Sequence, residues 1–243
     1  MDSSRQGMGR AEAVKLLPED TRERILAVAT ELVALHGPQN VTIRELARTS
    51  GTNIAAVNYH FGSKGELVQE VLLKIFEPIN RQRMEILASL EAACAPRPVE
   101  VAEILQALLR PVVECKVGSD GGSLYLRALQ HLRAYPGGAH NIFVFSTFDS
   151  VAQHFIDRLQ TALPAFTRAE IIWRYELVRG AAIHMLSNCD PISGKFRHLA
   201  RGVGMIDIDD KEVILRELLD FSVAGFAAPA SWAQEDLKEY GKG

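Results

Sequence analysis

The chain has 243 residues, of which 47% are hydrophobic and 23% charged, a composition that fits one small and one larger folded domain and excludes a wholly disordered chain. The formal net charge is −3, so the bulk cationic balance that often marks a polyanion binder is absent. Any affinity for such a partner must come from locally placed cations and helix N-termini. Residues 1–64 carry 8 Lys and Arg against 7 Asp and Glu, and the rest of the chain is net acidic. Cys94, Cys115 and Cys189 form no CxxC pair, which argues against a disulfide framework or structural zinc and for a reducing, cytoplasmic interior. No apolar run reaches the roughly 18–20 residues of a membrane span, so no membrane partner is expected.

Residues 1–18 read as a polar, flexible arm without the apolar stretch of a secretion signal. Beyond them the 3.6-residue period dominates and strand alternation is missing, which predicts an all-α fold. The first helix is expected over 20–36, with Ile25, Val28, Ala29, Leu32 and Val33 on one stripe. After Gly37-Pro38 comes a short helix over 42–49, with Ile43, Leu46 and Ala47 facing inward. Gly51 then marks a turn, and a third short helix follows over 53–60. Asp20 and Glu23, Thr42 and Glu45, and Ser63 and Glu66 each have capping-box spacing, and Asn53 is placed to cap the third helix.

Longer helices are expected over 64–94, 99–117, 122–134, 140–163, 167–190 and 207–228. Pro78 should kink the first of these, and Pro111 should bend or end the second. The Gly- and cation-rich stretch 191–206 reads as a mobile surface loop, and 230–243 as a polar tail. The resulting domains are a three-helix unit over 19–65 and a larger helical bundle over 66–229.

Two short helices joined by a glycine turn form the geometry of a helix-turn-helix, whose second helix enters the DNA major groove while the first crosses the backbone. That groove is about 12 Å wide and admits a helix. The third helix begins with small residues, Ile54-Ala55-Ala56, which allow close approach to base edges. Asn58 suits an adenine edge or a phosphate; Tyr59 and His60 can donate to phosphate oxygens; Thr42, Arg44 and Lys64 flank the helix and suit the duplex backbone.

Residues 21–73 resemble the N-terminal domain of TetR-family transcriptional regulators. The resemblance is carried by Thr42-Ile43-Arg44-Glu45-Leu46-Ala47, Gly51-Thr52-Asn53 and Val57-Asn58-Tyr59-His60-Phe61-Gly62-Ser63-Lys64-Gly65-Glu66-Leu67. The block 55–64 is most similar to a subgroup of fatty-acid-responsive repressors. The resemblance implies that Thr42, Arg44, Asn53, Ile54, Ala55, Asn58, Tyr59, His60 and Lys64 meet DNA. Ile54 and Ala55 depart from the Lys and Gly frequent in the family, which removes one common cation. The implied activity is that of a repressor binding a palindromic, double-stranded operator as a homodimer. A small effector, namely a fatty acid, an acyl-CoA or another apolar metabolite, releases it. The alternative is a small-molecule binding protein with a non-functional DNA domain.

Helices 167–190 and 207–228 are over-supplied with apolar and small residues, including Leu177, Gly180, Phe221 and Gly225, and are expected to form a four-helix seam with a two-fold mate. Leu108, Leu129, Phe143, Thr147, Phe148 and Trp173 are candidates to line an effector cavity, with Arg174 as the anchor for an acidic group. Neither 118–123 nor Ser193-Gly194-Lys195 has phosphate-loop spacing, no histidine pair has metal-ligand spacing, and no nucleophile elbow is present. No catalytic residue, metal or cofactor is therefore expected.

Overall fold

The computed structural model describes residues 20–115, 122–190, 195–201 and 210–229. The expected arm, the 118–121 loop and the polar tail lie outside the described residues. The described residues form ten helices and no β-strand: α1 Thr21–His36, α2 Ile43–Ser50, α3 Ile54–Phe61, α4 Lys64–Cys94, α5 Val101–Val113, α6 Leu124–Ala134, α7 Ala139–Ala162, α8 Arg168–Asn188, α9 Lys195–Leu199 and α10 Lys211–Ala227.

The caps account for the short helices. Asp20 accepts from the Arg22 N–H at 3.0 Å, Thr42 Oγ1 from the Glu45 N–H at 3.2 Å, and Asn53 Oδ1 from the Ala56 N–H at 2.8 Å. Each satisfies a backbone donor that has no partner inside the helix, an effect of about 1 kcal/mol per cap. Pro78 sits inside α4, which continues to Cys94, and α5 ends two residues after Pro111. The stretch read as irregular contains a helical turn, α9, which packs against α8.

The chain divides into two compact units, one of Met1–Glu77 with Val117–Phe145, the other of Pro78–Lys116 with Ser146–Gly243. In the first, Ile25, Ala29, Val33, Leu46, Val57, Leu67, Val71 and Leu72 build the core. This unit also takes in α6, which packs along α1, a pairing that the domain boundaries read from the sequence did not anticipate. At the end of α1, Gly37 has φ +81°, and a Cβ there would lie 2.9 Å from Nδ1 of His131 on α6. The other ring nitrogen of His131 lies 3.1 Å from the Leu35 carbonyl, so the close approach of α6 requires a glycine.

In the second unit α10 packs along α5 and also touches α8. Leu87, Ile104, Leu105, Leu108, Phe155, Leu159, Ile171 and Phe226 are buried there. Truncating any one of these leucines to alanine costs about 2–5 kcal/mol, because interiors close-packed at this level do not fully collapse around a cavity.

Candidate nucleic-acid interface

The construction starts at the turn. Gly51 caps α2 in the left-handed region, at φ 65° and ψ 30°, and its N–H donates to the Ala47 carbonyl. The Thr52 N–H also reaches the Ala47 carbonyl, at 2.9 Å. Two donors closing on one helix end turn the chain sharply, and Asn53 starts α3 at once. Ser50 closes the angle from inside: it is 2% exposed and its hydroxyl donates to the Leu46 carbonyl at 2.6 Å.

On α3 only Val57 and Phe61 are buried, a spacing of one turn that seats the helix on a single narrow stripe. Ile54, Ala55, Asn58 and Tyr59 are all exposed on the opposite side, Tyr59 to 86%. A large aromatic side chain left this open, at the end of a helix whose other aromatic is buried, is held out from the body of the protein. Thr42, Arg44 and Asn53 are also exposed, at the starts of α2 and α3. His60 is half-buried, with its ring edge-on to Tyr59 at 5.2 Å between centroids.

Lys64 is placed differently from the other candidates. It is half-buried, and its Nζ donates to the Gln39 carbonyl at 3.0 Å, which ties the start of α4 to the loop before α2. His140 faces the same cation; burial first, and then the Lys64 charge, pushes its pKa below the ordinary 6.5. The sequence reading passed over Arg48. It lies one turn beyond Arg44 and is exposed with it, while Leu46, Ala47 and Ser50 face inward. Its i+4 spacing from Arg44 was the available signal.

Arg22 orients this unit from behind. It donates to both carboxylate oxygens of Glu70 at 2.8 Å, and its guanidinium lies 5.0 Å from the Phe61 ring centroid. Both members of the ion pair are more than a third exposed, so it contributes only about 0.2–1 kcal/mol, and its value is geometric: α1, α3 and α4 are held by one planar fork.

Helix geometry of this kind recurs in known proteins. The model "Tetracyclin repressor-like, C-terminal domain" matches residues 106–225, and that for "Bacterial regulatory proteins, tetR family" matches residues 25–71. The chain belongs to the TetR family. It is 30% identical over 98 residues to the HTH-type transcriptional regulator SrpR of Pseudomonas putida, covering 36% of this chain and 46% of that protein. The chain thus spans less than half the length of that relative. To the regulator AcrR of Shigella flexneri it is 23% identical over 175 residues, 72% of this chain and 77% of the relative. A TetR-like regulator from Rhodococcus sp. RHA1 superposes with a TM-score of 0.55 at 19% identity, over 88% of this chain and all of that one. As in other TetR proteins, an N-terminal helix-turn-helix, α2 and α3, precedes a larger helical domain.

The residues proposed for an effector cavity are spread over both units of this TetR chain. Leu129 and Phe143 belong to the first unit, Leu129 buried and Phe143 half-buried. Leu108, Thr147, Phe148, Trp173 and Arg174 belong to the second. Leu108 is fully buried and Phe148 half-buried, whereas Thr147 is exposed and Trp173 is 71% exposed. Arg174 is occupied: its guanidinium stacks 4.4 Å from the Phe166 centroid and donates to the carbonyls of Gly225 and Pro229, fastening α8 to the end of α10. Among the described residues no His, Cys, Asp and Glu cluster suits a metal, and no helix is long and apolar enough to cross a membrane.

Proposed function

We propose that this chain is a cytoplasmic, non-enzymatic transcriptional repressor that binds a palindromic operator as a homodimer and leaves it when a small apolar or acyl-type effector binds the second unit. The observation that carries the reading is α3: a helix seated on Val57 and Phe61 alone, with Ile54, Ala55, Asn58 and Tyr59 exposed. In the groove, Asn58 reads a base edge or a phosphate, and Tyr59 and His60 donate to phosphates. Thr42, Arg44, Asn53 and Lys64 hold the duplex backbone, and Arg48 adds a second cation beside Arg44.

The dimer reading is supported by large apolar side chains that stand exposed among the described residues. Ile172, Trp173 and Leu177 are exposed on α8, and Phe221 is 69% exposed on α10, beside the exposed small residues Ala224 and Gly225. A Cβ added at Gly180 or Gly225 would meet nothing within 4 Å, so a second copy has room to come close. Large apolar side chains exposed on two helices that touch each other are what a second copy would cover. Two-fold pairing places two α3 helices to meet successive turns of a duplex, about 34–36 Å apart. An effector lowers operator affinity only by its preference for a different spacing, and Pro78, the α4 residue at which the second unit begins, is the proposed lever.

The test is binding of the full chain to duplex fragments from upstream of its own gene. Affinity should fall by two to three orders of magnitude between about 50 and 200 mM salt, as expected when several phosphates are neutralised. A protein that binds effector but ignores every fragment at low salt favours the alternative, a binding protein with a non-functional DNA domain.

A further inference from the structure

The first unit includes a segment outside the helix-turn-helix that carries one sign of charge. Residues 122–148 hold Arg127, His131, Arg133 and His140 and no Asp or Glu, although the chain beyond residue 64 is net acidic. The centre of this segment is the elbow between α6 and α7, residues 135–138. His131 and Arg133 lie in the last turn of α6, where the helix dipole favours a cation. That explains their place, but not the start of α7. There the dipole favours a carboxylate, yet the first turn has none and begins Ala139-His140.

Contacts set the elbow beside the helix-turn-helix. At its entrance the His131 ring lies against Gly37, with Nε2 3.1 Å from the Leu35 carbonyl. At its exit His140 feels the charge of Lys64, whose Nζ holds the Gln39 carbonyl at 3.0 Å. Both ends of the elbow therefore border the loop that leads into Thr42 and Arg44. The elbow is also pinned. The Gly138 N–H donates to the Tyr135 carbonyl at 2.9 Å, and Asn141, 3% exposed, donates to the Pro136 carbonyl at 2.9 Å. On that frame Arg133 is exposed and Tyr135 is 59% exposed. Among the described residues no carboxylate pairs with Arg133, and Glu66, at the nearby start of α4, accepts from the Ser63 hydroxyl at 2.8 Å.

We propose that the α6–α7 elbow is a second contact with duplex DNA, in which the Arg133 guanidinium and the Tyr135 hydroxyl donate to backbone phosphates beside those met by Arg44 and Lys64. Such a contact reads no base; it adds affinity and fixes the register of α3 in the groove. A planar fork and a phenol carried on a pinned turn lose little freedom on binding. This rests on the reading of α3 as the element that enters the groove, and it widens the footprint of each copy.

The experiment is fluorescence anisotropy of the full chain on the upstream fragment it holds most tightly, over about 50 to 200 mM salt. The unaltered protein is compared with Arg133→Gln, Tyr135→Phe and Arg97→Gln, the last an exposed cation of the second unit that controls for net charge. Losing one phosphate contact per copy, two per dimer, should lower the slope of log affinity against log salt by about 1.8, so the fall in affinity across this range shrinks by about tenfold. Tyr135→Phe should weaken binding by about three- to tenfold at an unchanged slope. Sequence preference should be the same for all four proteins. Both altered elbow residues are exposed, so the fold should survive. A slope in Arg133→Gln lowered no more than in Arg97→Gln overturns the proposal, and full affinity in Tyr135→Phe overturns the part given to Tyr135. Failure of the underlying reading is distinguishable: the unaltered protein would then bind no fragment at all, and the elbow would fall with α3.

Discussion

In the first unit the polar candidates Thr42, Arg44, Asn58 and Tyr59 stand outside while Val57 and Phe61 are buried. In the second, Trp173, Leu177 and Phe221 stand outside and Arg83 is inside. The contrast says what each unit has yet to meet. A polar face on a helix seated by two side chains suits a hydrated, charged polymer, and exposed apolar side chains suit another protein surface.

The largest expected effect tests the apolar half of that contrast. Leu177→Asp places a carboxylate in the proposed seam, and symmetry places a second in the mate. A buried unpaired charge costs about 3–5 kcal/mol, so dimer affinity should fall by a factor of several hundred or more. Sedimentation velocity should show a monomer with helical content unchanged; a dimer of undiminished affinity would move the seam elsewhere. The next effect belongs to the first unit. Gly51→Ala forces a side chain into the left-handed region without any clash, because nothing lies within 4 Å of the added Cβ. It should cost about 1–2 kcal/mol in urea unfolding, and Gly51→Asn less.

The smallest effect is in acid stability. The Thr167 N–H and hydroxyl, at 2.7 and 2.8 Å, hold the Glu170 carboxylate below its ordinary 4.5. Arg110 does the same for Glu212. With the folded pKa below the unfolded one, the unfolded state takes up more protons in the window between them. The contribution is complete above the ordinary carboxylate range and is lost as pH falls below about 4.5. Thr167→Val should flatten urea midpoints between about pH 6 and pH 3.5 slightly, and an unchanged slope would show that the Thr167 hydroxyl carries no pH dependence.

The helix-turn-helix was legible because its signals are local. Caps, a turn glycine and a two-residue buried stripe all act within one or two turns, so Asp20, Thr42, Gly51 and Asn53 could be read in order. The second unit depends on which apolar stripe faces which neighbour. Period alone gives Ile171, Tyr175 and Val178 the same standing as Trp173 and Leu177, yet the first three are buried and the last two exposed. Arg174 and Arg83 differ likewise only in tertiary surroundings. The Thr167–Glu170 capping box was readable but was passed over, as was α9 within a Gly-rich stretch.

The most direct measurement is selection of bound sites from a random double-stranded DNA library by the full chain, beside Asn58→Ala and Tyr59→Ala. The unaltered protein should enrich an inverted repeat whose half-site centres lie about 10 base pairs, or a multiple of that, apart. Each substitution should weaken binding to that repeat by about 1–3 kcal/mol. No enriched repeat, or a repeat bound equally well by all three proteins, would contradict α3 as the element that meets DNA.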